Sequence, residues 1–168
     1  PLAGVPDICI HANIPQQIRH HGRSSLNAEV GGILLGKISG TTTVVDALIP
    51  ADKATSGGTH VTFTQDAWED IYKIKDAQYP ESRIVGWYHT HPGFGIFLSE
   101  YDLFIHRNFF SDPQQIAWVF DPLSDEEGCF VWSNSDIARQ HALRILPPSQ
   151  ENLGSTSQRA DNPRAPSD

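Results

Sequence analysis

The feature that most constrains the fold is an apolar run, dense in glycine, that extends over residues 29–38. Three glycines interrupt a series of aliphatic side chains there. Such a run predicts a buried strand that another backbone approaches closely, because glycine has no side chain to hold a neighbouring main chain away. Gly40 marks a turn, and residues 41–49 are rich in β-branched side chains, so the two segments are expected to form a hairpin.

Periodicity and turn residues predict a mixture of strands and helices over the rest of the chain. Further strands are expected at residues 7–11, 61–63, 83–89, 115–120, 129–132 and 137–146. Helices are expected at residues 14–27, 64–78 and 99–110. These elements predict a single α/β domain over residues 1–146, in which helices pack on a mixed sheet. Residues 147–168 are rich in Pro, Ser, Asn and Gln and carry few large apolar side chains, which predicts a flexible tail or linker.

Charge and hydropathy argue against two classes of partner. The chain of 168 residues has 12 basic and 20 acidic side chains, and its net charge of −8 argues against nucleic acid, whose binding depends on lysine and arginine. No stretch approaches the roughly 18 consecutive apolar residues of a membrane span, so no membrane partner is expected. Cys9 and Cys129 form no CxxC pair, and the simpler interpretation is two buried thiols in a reducing, cytoplasmic setting.

The most informative segment contains three candidate metal ligands. His89 and His91 stand two apart at the end of the predicted strand 83–89, and this spacing places both imidazoles on one side of an extended chain. Asp102 follows eleven residues after His91, in the first turn of the next predicted helix. Two imidazoles and one carboxylate are a three-ligand set typical of catalytic zinc, which leaves a fourth position for water. The set predicts one catalytic Zn²⁺ with a bound water, and its ligand types also suit iron or manganese.

A zinc-activated water also requires a base, and Glu29 is the candidate. A charged side chain at the start of the apolar run has no packing reason to be there. If the run neighbours strand 83–89, this carboxylate can reach the metal centre. Each signal has an ordinary alternative: His-x-His is common in strands, Ser99 and Asp102 fit a helix capping box, and Glu29 fits a strand-edge charge. Their joint occurrence favours a hydrolytic site, and Ser99 can serve both as a helix cap and as a site hydroxyl.

Together these residues resemble the JAMM, or MPN+, family of zinc metalloproteases, also described as Mov34/PAD-1-like. The family pattern is an upstream Glu, then His-x-His, seven residues, Ser, two residues and Asp. Five residues match it without a gap: Glu29, His89, His91, Ser99 and Asp102. The type is expected to be prokaryotic or that of the proteasome-lid deubiquitinase, to which the surrounding Gly-Trp-Tyr-His and Phe-Leu-Ser are similar.

The resemblance implies a single MPN (JAB-like) domain with a curved, mixed β-sheet flanked by helices. It implies zinc ligation by His89, His91 and Asp102. It further implies a general acid/base role for Glu29 and stabilisation of a tetrahedral intermediate by the Ser99 hydroxyl. Known members cut after the Gly-Gly tail of ubiquitin or a ubiquitin-like protein, so conjugates of such a protein are the implied substrates. Many relatives work inside complexes, which implies a larger assembly or a fused domain as a further partner.

The resemblance also indicates where the tail would bind. In family members a segment between the catalytic Glu and the His pair holds the extended tail by strand addition. The matching stretch is residues 51–61, which includes the candidate substrate-binding residues Thr59 and Val61. Gly93 and Gly95 are expected to line a narrow path that favours a diglycine tail.

Two other functions stay open at this stage. One is a peptidase that uses the same site to process a ubiquitin-like precursor or a sulfur-carrier adduct. The segment 51–61 and the lack of an obvious second family insertion in the compact region 103–135 mildly favour a simple tail-cutting enzyme. The other is a non-catalytic MPN scaffold, which is disfavoured because such scaffolds usually lose metal ligands and this chain has lost none. His106, one helical turn after Asp102, is interpreted as a surface histidine, with a supporting role at the metal centre as the alternative.

Overall fold

The structure is a computed structural model, and it describes residues 6–55 and 60–149. The strands in these residues are β1 (Asp7–His11), β2 (Gly31–Ser39), β3 (Thr42–Pro50), β4 (Arg83–Thr90), β5 (Ile116–Asp121), β6 (Glu126–Ser133), β7 (Asp136–Gln140) and β8 (Arg144–Leu146). The helices are α1 (Asn13–Gly22), α2 (Gln65–Gln78) and α3 (Glu100–Phe109), with a 3₁₀-helix at Asp52–Thr55. The predicted α/β class is confirmed.

All eight strands form one mixed sheet in the order β7-β6-β5-β4-β2-β3-β1-β8. β1 runs parallel to β3 and β8, β4 runs parallel to β5, and the other neighbours are antiparallel. β7 and β8 lie at opposite edges of this order, yet only residues 141–143 connect them. Those few chain steps span at most about 14 Å, whereas the spacings of a flat sheet of this width would add up to about 34 Å. The sheet is therefore strongly curved, as expected for an MPN domain.

β2 lies at the centre of the sheet, and both of its faces are covered. Ile33 and Leu35 belong to a core shared with α2 and α3, and Leu34 belongs to a second core shared with α1. Burial on both faces explains why the run is apolar at successive positions rather than at alternate ones. A Cβ atom on Gly36 would lie 1.7 Å from the carbonyl oxygen of Val44. The predicted buried, closely approached strand is confirmed.

Three predicted elements differ from the structure. α1 ends at Gly22 rather than near residue 27, and Leu26, which extended the helical pattern, is 49% exposed. Residues 61–63 form no strand, although two of their side chains are buried in the core. The alternation of these side chains reflects packing rather than pairing. The single strand predicted at 137–146 is two strands, because the chain crosses there from one edge of the curved sheet to the other.

Contacts with the domain continue past the predicted boundary at residue 146. Ser149 is 4% exposed. Its N–H donates to Asn13 Oδ1 (2.8 Å), and its hydroxyl donates to the carbonyl oxygen of Asp46 (2.8 Å). The domain therefore reaches at least to Ser149. Residues 150–168, which make up most of the predicted tail, lie outside the described residues.

The structure also shows the state of the two cysteines and the character of the helices. Cys9 and Cys129 are buried and unpaired, as expected from their apolar surroundings in the sequence. None of the helices in the described part of the chain combines the length and the hydropathy needed to span a bilayer.

Candidate metal centre

Three potential ligand atoms converge where β4 ends. His89 Nε2, His91 Nε2 and Asp102 Oδ2 lie 3.0–3.1 Å from one another. All three residues are buried, with 0%, 2% and 3% of their surface exposed. Within residues 6–55 and 60–149, no other group of three or more His, Cys, Asp or Glu side chains is arranged to hold a metal ion. The structure thus brings together the three residues predicted as ligands.

Strand pairing explains why the two histidines meet. β4 lies between β2 and β5, and its register sets His89 opposite Gly31 of β2. The His91 N–H donates to the carbonyl oxygen of Phe120 (2.9 Å), which extends the β4–β5 pairing by one residue. The chain therefore stays extended through His91, and residues two apart in an extended chain point to the same face.

The start of α3 brings the carboxylate to the two imidazoles. Ser99 is the N-cap of α3: its N–H donates to Asp102 Oδ2 (2.9 Å), and the Asp102 N–H donates to Ser99 Oγ (3.1 Å). The oxygen that completes this capping box is the same Oδ2 that faces the histidines. The structural and the functional interpretations of Ser99 and Asp102 are therefore compatible, and the cap helps to fix the orientation of the carboxylate.

The charges of this cluster suit a cation. Burial raises the pKa of Asp102, but hydrogen bonds from His89 and His91 outweigh burial and hold that pKa well below its usual range. Burial lowers the pKa of His91, yet the hydrogen bond and charge of Asp102, together with the charge of Glu29, leave it raised. The cluster therefore favours added positive charge. A proton on a histidine can supply that charge, and so can a metal ion.

The donor set and its spacing also fit zinc. Zn²⁺ binds imidazole nitrogen and carboxylate oxygen at about 2.0–2.2 Å, so two ligands of a tetrahedral ion lie roughly 3.3 Å apart. The separations of 3.0–3.1 Å are close to this value. If both nitrogens donated protons to Oδ2, two N–H groups would crowd onto one oxygen with their nitrogens only 3.1 Å apart. One ion would instead accept a lone pair from each of the three atoms.

Glu29 lies beside this cluster because β2 pairs with β4. The Thr90 N–H donates to the carbonyl oxygen of Val30 (2.9 Å), which holds the start of β2 against the end of β4. The Glu29 side chain is 14% exposed. Its Oε1 accepts the Val61 N–H (3.3 Å), and its Oε2 lies 3.6 Å from His60 Nδ1. The condition on which the interpretation of Glu29 depended, that its segment neighbours β4, is met, and its acid/base role stays a prediction.

Of the four candidate substrate-binding residues, the structure describes three, and these lie around the cluster. Gly93 and Gly95 adopt positive φ angles of 82° and 86°, which gives both positions a backbone reason to be glycine. No heavy atom lies within 4 Å of a Cβ built on Gly95, so that position is open. Val61 is 1% exposed and contacts Glu29 through its N–H. Thr59 lies outside the described residues.

Trp87 packs on His89 and is itself hydrogen-bonded to His106, and the sequence interpretation of His106 was wrong. The indole of Trp87 stacks on the His89 imidazole, with ring centroids 4.4 Å apart and planes 8° apart. The Trp87 Nε1–H donates to His106 Nδ1 (3.0 Å), and His106 is completely buried rather than on the surface. The signal was available, because His106 lies four residues after Asp102 and so on the same face of α3.

His106 is expected to make the zinc-free protein less stable in acid. Burial lowers its pKa to about 4, from the 6.5 of an unperturbed histidine. Between these values the unfolded chain binds more protons than the folded one, so stability is complete above pH 6.5 and is lost as the pH falls towards 4. The loss amounts to about 3 kcal/mol of unfolding free energy. Urea unfolding at pH 7 and at pH 4, with a chelator present, measures it.

His106→Gln is the control for this acid sensitivity. The amide oxygen of glutamine can accept the Trp87 N–H, but the side chain has no proton to gain. Carboxylates contribute equally to both proteins, so the variant should lose about 3 kcal/mol less than the natural protein between the two pH values. Equal losses would show that His106 takes up a proton without unfolding.

Comparisons with known proteins agree with the fold and the cluster. A family model described as JAB1/Mov34/MPN/PAD-1 ubiquitin protease matches residues 3–115. The 26S proteasome regulatory subunit rpn11 of Schizosaccharomyces pombe is 32% identical over 139 residues, which cover 80% of this chain and 42% of the relative. The ubiquitin carboxyl-terminal hydrolase RPN11 of Saccharomyces cerevisiae is 33% identical over 119 residues, which cover 66% of this chain and 37% of the relative.

A solved structure supports the fold independently. Protein DSY2949 from Desulfitobacterium hafniense, solved in solution, has a TM-score of 0.62 and 20% sequence identity, and the match covers 85% of this chain and 94% of that one. At this identity the likeness shows the fold alone.

The fold and the His-His-Asp cluster define an MPN domain of the JAMM type. The chain belongs to the JAB1/Mov34/MPN/PAD-1 family, as the resemblance predicted. It spans only 42% of the length of the Schizosaccharomyces pombe relative and 37% of the Saccharomyces cerevisiae one.

Proposed function

We propose that this chain is a zinc-dependent isopeptidase that cleaves after the Gly-Gly tail of ubiquitin or a ubiquitin-like protein and releases it from its conjugates. One observation carries the proposal: three ligand atoms converge at the end of β4, beside the carboxylate of Glu29 and the hydroxyl of Ser99. The family description and the name of the Saccharomyces cerevisiae relative both refer to ubiquitin, which supports this class of substrate.

His89, His91 and Asp102 would hold the ion through Nε2, Nε2 and Oδ2. When bound, zinc acts as a Lewis acid and lowers the pKa of a coordinated water to about 7, so that a nucleophile is available near neutral pH. Glu29 takes a proton from the attacking water as the new C–O bond forms at the scissile carbonyl. The C–N bond then breaks, and Glu29 returns the proton to the leaving amine.

The surroundings of Glu29 suit this transfer. The Val61 N–H engages only one carboxylate oxygen, Oε1, and orients the side chain without occupying both oxygens. Oε2 faces His60 at 3.6 Å, beyond the usual length of a hydrogen bond. A base held by one fixed contact keeps a free oxygen for the proton. The position of Glu29 beside His91, whose pKa its charge raises, supports the assignment.

Ser99 would stabilise the charge that develops on the scissile carbonyl oxygen. Its Oγ accepts the Asp102 N–H, and this bond uses a lone pair rather than the O–H. The hydroxyl proton can therefore be donated to a substrate oxygen. Donors of this kind typically contribute roughly 3–4 kcal/mol to lowering the barrier.

The surface around the cluster favours a protein substrate over a small one. Phe94 is 73% exposed and Phe97 is 44% exposed, and the Phe97 ring lies 4.8 Å from that of His91. Exposed aromatic groups next to a site are typical of interaction surfaces. On the other side, Tyr101 Oη lies 2.6 Å from Thr62 Oγ1 and ties residues 60–62 to α3. We place the diglycine tail between the exposed phenylalanines on one side and Tyr101 with residues 60–62 on the other.

The proposal is tested by cleavage of defined substrates. The chain, purified with its metal content measured, is incubated with ubiquitin-like fusions and isopeptide-linked conjugates, and products are identified by mass spectrometry. The proposal requires about one zinc per chain and a product that ends in Gly-Gly. Cleavage of peptide-extended precursors alone would favour a processing enzyme or one acting on sulfur-carrier adducts. A chain unable to take up zinc would support a non-catalytic scaffold.

The expected setting is cytoplasmic, within a larger assembly or a longer protein. The free, buried cysteines suit a reducing compartment. The Schizosaccharomyces pombe relative is named as a regulatory subunit of the 26S proteasome, which supports a multi-subunit partner here. Conjugates should therefore be supplied both to the isolated chain and to the chain in a lysate of its source.

Ser99→Ala is expected to lower kcat about 100- to 1,000-fold through loss of the oxyanion donor. It should also reduce the free energy of unfolding by about 1 kcal/mol, because the N-cap of α3 is lost. Ser99→Thr, which keeps a hydroxyl at an extended N-cap, should recover the stability and part of the rate. If Ser99→Ala stayed folded and kept most of its kcat, Ser99 would be a cap alone.

A further inference from the structure

Asp121, the last residue of β5, is a buried carboxylate that holds the loop after His91. It is 2% exposed. Its Oδ1 accepts the N–H groups of Gly93 (2.9 Å) and Leu123 (2.9 Å), and its Oδ2 accepts the N–H of Gly95 (3.0 Å). Burial raises the pKa of Asp121, but these bonds outweigh burial and leave it lowered. The carboxylate is therefore ionised at neutral pH and fixes three backbone groups at once.

The loop that Asp121 holds contacts a predicted metal ligand. The carbonyl oxygen of Gly95 lies 3.2 Å from His91 Nδ1. A carbonyl can only accept, so Nδ1 must carry the proton in this contact. In the neutral ring the other nitrogen, Nε2, is then left with a lone pair for a metal ion, and it lies 3.0 Å from Asp102 Oδ2. Asp121 therefore acts on the His91 ring through the main chain of Gly95: it holds the N–H of that residue, and the carbonyl of the same residue contacts His91 Nδ1.

We propose that Asp121 is a positioning residue for the metal centre, which fixes the tautomer and orientation of His91 through the backbone of Gly95. This inference rests on the proposed zinc site. Metal-binding histidines are typically oriented by a hydrogen bond to the ring nitrogen that does not bind the metal, and loss of such a partner typically weakens metal affinity about 10- to 100-fold.

The second histidine of the cluster is supported in a different way. His89 Nδ1 is buried without a hydrogen-bond partner among the described residues, and its ring is held by stacking on Trp87. Stacking restrains the plane of a ring but does not choose its tautomer. Of the two histidines, therefore, only His91 has a hydrogen bond on the ring nitrogen that faces away from the cluster, and Asp121 fixes the main chain that provides it.

Asp121→Asn selectively removes the hydrogen bond from the Gly95 N–H. The amide oxygen can still accept from Gly93 and Leu123, but its NH₂ group then faces the N–H of Gly95, and two donors repel. The expected result is a zinc dissociation constant raised about 10- to 100-fold, measured by competition with a chromogenic chelator. In the zinc-loaded protein the Nδ1–H proton of His91 should give an NMR signal that exchanges slowly with water, and in the variant this proton should exchange faster because the Gly95 carbonyl is no longer held against it.

Asp112→Asn is the matched control. Asp112 also accepts a backbone N–H, from Gln114 (3.0 Å), and it pairs with Arg83 (2.6 Å), but neither contact involves the cluster or the loop after His91. This variant should keep the zinc affinity and the slow exchange of the His91 Nδ1–H proton of the natural protein. Equal zinc affinities for Asp121→Asn and Asp112→Asn would overturn the inference, whether both were normal or both weakened. Failure of the natural protein itself to bind zinc would instead overturn the proposed function.

Discussion

Replacing Glu29 by Gln is expected to lower kcat for cleavage of a diglycine-linked conjugate by about 100- to 10,000-fold, with bound zinc unchanged. General acid–base catalysis typically contributes a factor of this size. The amide oxygen of glutamine can still accept the Val61 N–H, so the side chain should keep its place. It cannot take a proton from water or return one to the leaving amine. The rate falls because proton transfer is lost, while the fold and the ligand set stay intact.

Three measurements separate this explanation from a structural one. Zinc per chain and the melting temperature of Glu29→Gln should match those of the natural protein, since Glu29 is not among the ligand atoms. Glu69→Gln, which removes a carboxylate from the exposed face of α2, should leave kcat unchanged. Near-normal turnover by Glu29→Gln would contradict the acid/base assignment. Loss of zinc in that variant would mean that Glu29 helps to hold the ion.

Local sequence signals predicted the parts of the fold whose cause is itself local. β2 is recognisable because burial on both faces demands apolar side chains at successive positions, and Gly36 because a side chain would clash with Val44. The start of α3 is recognisable because a capping box needs Ser99 and Asp102 three residues apart. The His pair is likewise fixed by a two-residue spacing in an extended chain. In each case the geometry is determined by residues that lie within a few positions of one another in the sequence.

The missed features depend on contacts between distant segments. The alternation at residues 61–63 resembles that of a strand, but only the packed structure decides between pairing and burial in a loop. His106 looks like a surface residue until Trp87 is placed against α3. Asp121 accepts N–H groups from Gly93 and Gly95, more than twenty residues earlier, and no spacing in the sequence signals such a bond.

Replacing Asp102 by Asn is expected to abolish stoichiometric zinc binding, and with it hydrolysis. The side chain keeps its shape, and its amide oxygen can still accept the Ser99 N–H, so α3 should remain capped. What disappears is the negative charge that the two histidines face at 3.0–3.1 Å. A neutral amide oxygen is a weaker zinc ligand than a carboxylate, and zinc sites in proteins use Cys, His, Asp and Glu. Elemental analysis after dialysis against a low zinc concentration measures the loss.

Thermal unfolding gives the same test in energetic terms. A ligand that binds only the folded state stabilises it by about 2.7 kcal/mol at one hundred times its dissociation constant, so zinc should raise the melting temperature of the natural protein and a chelator should reverse the rise. Asp102→Asn should melt at one temperature with or without zinc. Glu100→Gln removes the same charge from the same helical turn, but on an exposed side chain, and should respond like the natural protein. If Asp102→Asn were stabilised by zinc as strongly as Glu100→Gln, the ion would be held elsewhere, because the two variants differ only in whether the missing charge faces the histidines.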